Sequence, residues 1–220
     1  MIELFIVAFV TFFVVIDPLG VAPVFASLTE GKPARWVRLM AVKSVMIAAV
    51  ILFGFAIAGE YLLNALHISL DAFRLAGGVL LFLIALDMIF EKRSERREER
   101  AESVMEEWEE EDAAGKPHAH EDISVFPMAL PMLAGPGGIA SVLLYMSDES
   151  LVLNEKLIVL GAMVVILALS LALFLGAGMV MRLIGASAAS AITRVLGVIL
   201  AALAAQLMLD SLVNTFAQLS

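Results

Sequence analysis

Long apolar runs alternate with short polar interruptions along this chain, and the length of the runs predicts its elements. Six windows rich in Leu, Ile, Val, Ala and Phe fall at residues 2–28, 41–63, 71–90, 124–147, 157–181 and 190–213. Each reaches the roughly 20 residues that a helix needs to cross about 30 Å of hydrocarbon. The pattern predicts an all-α membrane protein with six transmembrane helices. The first window carries Glu3 and no basic residue ahead of an apolar run longer than a signal-peptide core, so it is expected to remain in the chain.

Two of the six windows are interrupted in the same way. The stretch FVVIDPLGVAPVFASLTEG (Phe13 to Gly31) holds Asp17, Pro18, Gly20 and Pro23, and FPMALPMLAGPGGIASVLLY (Phe126 to Tyr145) holds Pro131, Gly135, Pro136, Gly137 and Gly138. A proline inside a helix removes an amide donor and clashes with the preceding turn, at a cost of about 3 kcal/mol or more. In hydrocarbon the freed carbonyls need partners as well. The first and fourth helices are therefore expected to be discontinuous, each with an unwound segment between half-helices. Proline suits the first position of a helix, so one half-helix is expected to begin near Pro18 or Pro23 and the other near Pro136.

The interruptions recur in order, and so does a second signal. RLAGGVLLFLIALD from Arg74 resembles RVLGVILAALAAQL from Arg194, each beginning Arg-x-x-Gly. Ordered recurrence suggests duplication, dividing the chain into a first three-helix repeat (1–90), an acidic cytoplasmic loop (91–122) and a second three-helix repeat (123–220). Three spans per repeat is an odd number, so the two repeats would be inverted relative to one another. Inverted repeats with an interrupted helix in each are a pattern of secondary transporters, whose sites lie between the repeats.

Composition and charge sharpen this picture. The chain is 61% apolar and carries a formal net charge of −9, with a mean hydropathy of +0.97. Seven of those negative charges belong to residues 91–122, which hold thirteen acids against six bases. This stretch reads as a solvated spacer: a helical extension of the third span, then a flexible piece from Gly115, with Val104, Met105 and Trp108 too few to bury a core. An acidic docking surface is the other reading. Twelve of the fourteen Lys and Arg residues fall on the side that carries this loop, leaving Arg74 and Lys156 opposite. The positive-inside rule places that side in the cytoplasm and both termini outside it.

The interruptions also carry the candidate chemistry. Free amides at two half-helix N-termini, with partial positive charge, would converge and suit a carboxylate. The candidate solute-binding residues are Asp17, Pro18, Gly20, Val21 and Pro23 in the first break, with Pro131, Ala134, Gly135, Pro136, Gly137 and Gly138 in the second. Asp17 reads both as an N-cap for the amides after Pro18 and as a titrating carboxylate that couples transport to an ion. Gln206, deep in the sixth span, either bonds a neighbouring helix or faces the cavity, and is the other ion-coupling candidate. Arg74 and Arg194 are expected to snorkel to the interface, and Asp87 and Asp210 to reach headgroups. The HAH pair, His118 and His120, offers too few converging ligands for a metal. No catalytic triad, HExxH, nucleotide-binding loop or cysteine is present, so no enzyme activity, metal, cofactor or nucleic-acid partner is expected.

On the motifs IDPLGVAPVFASLT (Ile16 to Thr29) and PMALPMLAGPGGI (Pro127 to Ile139), the chain resembles the MarC family of six-span membrane proteins, over nearly its whole length apart from a longer acidic loop. The resemblance implies an inner-membrane, multi-pass protein, in a family some of whose members move small neutral amino acids such as glycine and alanine, driven by H⁺ or Na⁺. Where many members place Asn after the DPLG glycine, this chain has Val21. The expected function is therefore a secondary active transporter of a small zwitterion working by alternating access, its partners being the solute and the lipid bilayer. The alternatives are a passive channel and a non-transporting membrane scaffold.

Overall fold

The computed structural model describes residues 1–113, 122–148 and 150–219. The chain forms α1 (Ile2–Ile16), α2 (Pro18–Leu28), α3 (Ala34–Ala65), α4 (Leu70–Ile89), α5 (Lys92–Ala113), a loosely wound segment (Ser124–Leu133), α6 (Pro136–Met146), α7 (Leu153–Leu175) and α8 (Ala177–Leu219). Among the described residues five stretches are long and apolar enough to cross a membrane, and a sixth is the pair Ser124–Leu133 and Pro136–Met146, bent by 56°. Gly115, Lys116, His118 and His120 lie outside the described residues, as does the side chain of Arg182.

The last two windows need correction. The fifth helix ends at Leu175 and not near residue 181, and the helical backbone then runs unbroken from Ala177 to Leu219, of which Ser190–Ala217 is apolar enough to cross. Across residues 181–190 the sequence MRLIGASAAS mixes good helix formers (Met, Arg, Leu and Ala) with polar serines and a glycine. The apolar window closes there without closing the helix.

α1 and α6 run through the middle of the molecule. On one side they pack with α3 and α7 around Phe12, Ile16, Phe25, Leu52, Met163 and Phe174, where Phe25 stacks on Phe174 at 4.5 Å between ring centres. On the other side Val14, Val15, Leu81, Ala85, Leu144, Leu200 and Ala204 join them to α4 and α8. α4 and α8 lie close enough that a Cβ on Gly78 or Gly197 would stand 3.1 Å from the carbonyl oxygen of Ala204 or Ala85 respectively. Small residues at such crossings let helix backbones approach in lipid.

The acidic stretch departs most from its reading as a spacer. It does not extend the third span, because Phe90 ends α4 and Glu91 turns the chain in a left-handed conformation (φ 62°) before α5 begins. α5 then runs alongside α2, with Ala101 and Val104 buried in the core and Met105 and Trp108 packed against it. The positions Arg93, Arg97, Ala101, Val104 and Trp108 step by four, four, three and four residues, which places them on one face of a helix. At its far end the Lys32 ammonium sits 4.9 Å from the Trp108 ring centre, tying α5 to the turn after α2.

Candidate functional site

The first break is a single residue. Asp17 closes α1 and opens α2 in a left-handed conformation (φ 54°, ψ 64°). Its backbone N–H donates to the Phe13 carbonyl at 2.9 Å, and its carboxylate accepts from the Gly20 N–H at 3.1 Å. The N-cap reading of Asp17 therefore holds, and Pro18 takes the first helical position, where its missing amide costs nothing. The expected unwound stretch from Pro18 to Pro23 is absent: Pro23 lies inside α2. Helix resumes immediately because the carboxylate satisfies an amide that would otherwise be orphaned.

The second break is longer. Phe126 (φ −124°, ψ 131°) and Leu130 (φ −118°, ψ 126°) are extended within Ser124–Leu133. Each precedes a proline, whose ring disfavours the helical conformation in the residue before it. Wide turns remain between them, with Met128 N–H donating to Ile123 at 3.2 Å and Ala134 N–H to Ala129 at 2.9 Å. The half expected to be a regular half-helix before Pro131 is thus loosely wound. Regular helix starts at Pro136, as expected, with Gly135 as N-cap. A Cβ on Gly135 would overlap the Pro131 carbonyl oxygen, so the turn itself requires glycine.

The breaks adjoin. A Cβ on Gly138 would stand 4.0 Å from Ile16, and one on Gly137 would stand 2.8 Å from Val15. What lies beside this junction is α5. Arg97 donates to Asp17 at 2.7 Å, with the two side chains 5% and 0% exposed. Arg93 donates to the Val15 carbonyl at 2.6 Å, in the last turn of α1. The Thr193 hydroxyl of α8 stands 3.5 Å from the same Asp17 carboxylate. Gly20 is where it is because a Cβ there would overlap the Asp17 carboxylate and stand 2.6 Å from Arg97 Nη1. Two charges taken out of lipid and water are tolerable only as a hydrogen-bonded pair.

α5 also separates two crevices of opposite charge. One, of about 220 Å³, is lined by Arg93, Arg96, Arg97 and Arg100 with Asp87, against Pro131, Gly135, Pro136 and Gly137. It meets the N-terminus of α6, so its charge and its amides both favour a carboxylate. The other, of about 560 Å³, is lined by Glu91, Glu95 and Glu98 with Arg194, against Gly20, Pro23 and Thr193. Hydrogen bonds from Arg194 and then Ser190 hold the Glu91 carboxyl below its ordinary 4.5. Near the start of the loosely wound segment, burial pushes Asp122 up, but hydrogen bonds from Lys43 and Ser124 outweigh it and leave the group below its ordinary range.

Several candidate residues fall elsewhere. Val21 is fully buried in the core and packs rather than lines a crevice. Ala134 is likewise fully buried, and Gly138 is buried with Leu52 as a neighbour. Gln206 is not brought to Asp17: it bonds Asp210 at 2.8 Å, and thirteen residues of α8 separate it from Thr193, about 20 Å along the axis. Arg74 and Arg194 do not simply snorkel. Arg74 pairs with Asp148 at 2.8 Å and with Asp71 at 3.7 Å, while Arg194 pairs with Glu91. Asp87 pairs with Arg96 at 2.6 Å. The residues at the junction that sequence reasoning missed are Arg93, Arg97 and Thr193. The four-residue spacing of the two arginines was the available signal.

Comparison with known proteins places these residues in a family. The sequence model described as MarC family integral membrane protein matches residues 2–216. A UPF0056 membrane protein of Methanocaldococcus jannaschii is 37% identical over 210 residues, covering 96% of each chain. One of Archaeoglobus fulgidus is 32% identical over 209 residues, covering 94% of this chain and 92% of the relative. Another, YvbG of Bacillus subtilis, is 32% identical over 196 residues, covering 89% and 88%. No solved structure matches.

Proposed function

Because the chain belongs to the MarC family of integral membrane proteins, we propose that it is a secondary active transporter of a small zwitterion, a neutral amino acid, working by alternating access. The observation that carries this reading is the buried Asp17–Arg97 pair at the junction of the two breaks. A carboxylate and a guanidinium that neutralise one another are the complements of an amino acid's ammonium and carboxylate. In this reading the solute replaces the internal pair, its carboxylate meeting Arg97 and the amides at the start of α6, its ammonium meeting Asp17. α5 then acts as the closure on the cytoplasmic side.

The packing supports two inverted repeats. Exchanging α1 with the loosely wound segment, α2 with α6, α3 with α7 and α4 with α8 turns the α1–α7 contact into that of Ser124–Leu133 with α3, α2–α7 into α6–α3, and α2–α8 into α6–α4, and all six contacts are made. α3–α7 and α4–α8 map onto themselves. Rocking one repeat against the other would open the junction first to one side and then to the other. The distribution of Lys and Arg supports an orientation with the α5 end in the cytoplasm and both termini opposite, and the family resemblance supports a place in the cytoplasmic membrane. Asp17 is also the group at which H⁺ or Na⁺ would couple, with no catalytic step and no cofactor.

Purified protein in liposomes tests this reading. Labelled glycine or alanine should show saturable counterflow, which a passive pore does not give. Absence of counterflow across a panel that includes glycine, alanine, valine and leucine would overturn it.

A further inference from the structure

The end of the molecule away from α5 holds a cavity that the breaks do not use. A chamber of about 220 Å³ lies between α1, α4, α6 and α8. It shares Arg74, Asp148 and Leu207 with an open vestibule of about 870 Å³. Protein cores are close-packed, and voids much larger than a water are few. The two walls of this one differ in kind. On one, Ser141 and Tyr145 stand a turn apart on α6, Asp148 follows just past its end, and the Thr11 hydroxyl lies 3.2 Å from that of Tyr145. On the other, Leu200, Leu203 and Leu207 step by three and four along α8, with Leu81 of α4 beside them.

Ser141 is 1% exposed, and its hydroxyl has no hydrogen-bond partner among the described residues. A buried hydroxyl left unpaired bears its full desolvation cost, so the site gains from a polar ligand group. At the mouth, Arg74 carries five N–H donors, and its recorded ion-pair contacts are to Asp71 and Asp148. Burial pushes the Asp148 carboxyl up, but hydrogen bonds from Ser150 and the charge of Arg74 outweigh it and keep it ionised at neutral pH. A paired cation and anion at the mouth, a polar wall and an aliphatic wall together describe an amphipathic zwitterion.

We propose that this chamber is a second solute site, taking an α-amino acid with a branched aliphatic side chain. The carboxylate meets Arg74, the ammonium meets Asp148, Ser141 supplies a hydroxyl to the head group, and the side chain lies on Leu200, Leu203 and Leu81. Glycine and alanine leave the aliphatic wall uncovered and bind more weakly. This proposal rests on the carrier reading for its place on a solute path, but binding and flux fail separately. A chain that binds leucine without counterflow keeps the site and loses the carrier; one that exchanges glycine but does not bind leucine keeps the carrier and loses the site.

Isothermal titration of the full chain in lipid nanodiscs with L-leucine tests it. Leucine should bind at least about tenfold more tightly than glycine. The analogues 4-methylpentanoate and 3-methylbutylamine, each lacking one charge, should be weaker than leucine by a similar factor. Leu203→Trp, which fills the chamber, should remove leucine binding, and Ser141→Val should weaken it if Leu203→Trp fails to insert. Glycine binding as tightly as leucine, either analogue matching leucine, or leucine affinity unmoved in whichever chamber variant inserts would overturn the proposal.

Discussion

At the first break one residue leaves the helix, and a charge from another element meets it; at the second, ten residues loosen and the segment between Ser124 and Leu133 contributes no charged side chain of its own. Both stretches carry prolines five apart with glycine nearby. The difference lies in what precedes the prolines. Asp17 ahead of Pro18 caps the next helix and restarts it at once, whereas Phe126 and Leu130 have no side chain able to cap and are held extended. An acid at the point of interruption makes a sharp joint that depends on a partner. Apolar residues there make a wide one that depends on packing.

The contrast predicts that the first break is the more fragile, and the largest effect should come from removing its partner. Arg97→Ala leaves Asp17 buried and uncompensated, and should cost about 3–5 kcal/mol in unfolding from micelles. Asp17→Asn combined with Arg97→Gln should cost less than Arg97→Gln alone, because it removes both charges together. A loss in the double variant equal to the sum of the Asp17→Asn and Arg97→Gln losses would show that the pair is not coupled.

Gly20→Ala should come next. Its methyl group would collide with the Asp17 carboxylate and crowd Arg97, and overpacking of this kind costs about 1–3 kcal/mol. An unchanged unfolding midpoint would mean that α5 does not dock as closely as described. At the second break Pro131→Ala should change stability by no more than about 1 kcal/mol, since Leu130 is freed to wind and no charge is exposed. Helix content by circular dichroism should rise slightly and counterflow should fall. Full counterflow with a rewound segment would separate the second break from function.

The smallest effect is a pH effect at the α4–α5 turn. Glu91 is held below its ordinary 4.5 by Arg194 and Ser190, so its contribution to stability is complete above about that value. It is lost as pH falls through the lowered value, because protonation releases Arg194. The acid limb of an unfolding-midpoint profile should therefore flatten in Glu91→Gln. An acid limb identical to that of the parent would leave Glu91 without a share in it.

Much of this was legible in the chain. Apolar windows located the spans, and proline at the first helical position located the starts of α2 and α6. Asp17 as N-cap followed from its place ahead of Pro18. α5 was not legible as a core element, because two of its five inward positions are arginines and hydropathy scores them as solvent-facing. Their aliphatic stems and charges are accommodated only because Asp17 and the Val15 carbonyl wait across the interface, which no local pattern reveals. The passage from α7 to α8 hides for the opposite reason: hydropathy falls across residues 181–190, while Ala and Leu go on supporting helix there.

In this account the Asp17–Arg97 pair closes a solute site, and α5 leaves when solute takes its place. The chain has no cysteine, so Val42→Cys on α3 and Glu102→Cys on α5 can carry the only spin labels in the protein. Pulsed dipolar spectroscopy in nanodiscs should give one distance population without solute, and a second, longer one under saturating L-alanine. A distance distribution that alanine leaves unchanged, in protein shown to bind it, would contradict the account.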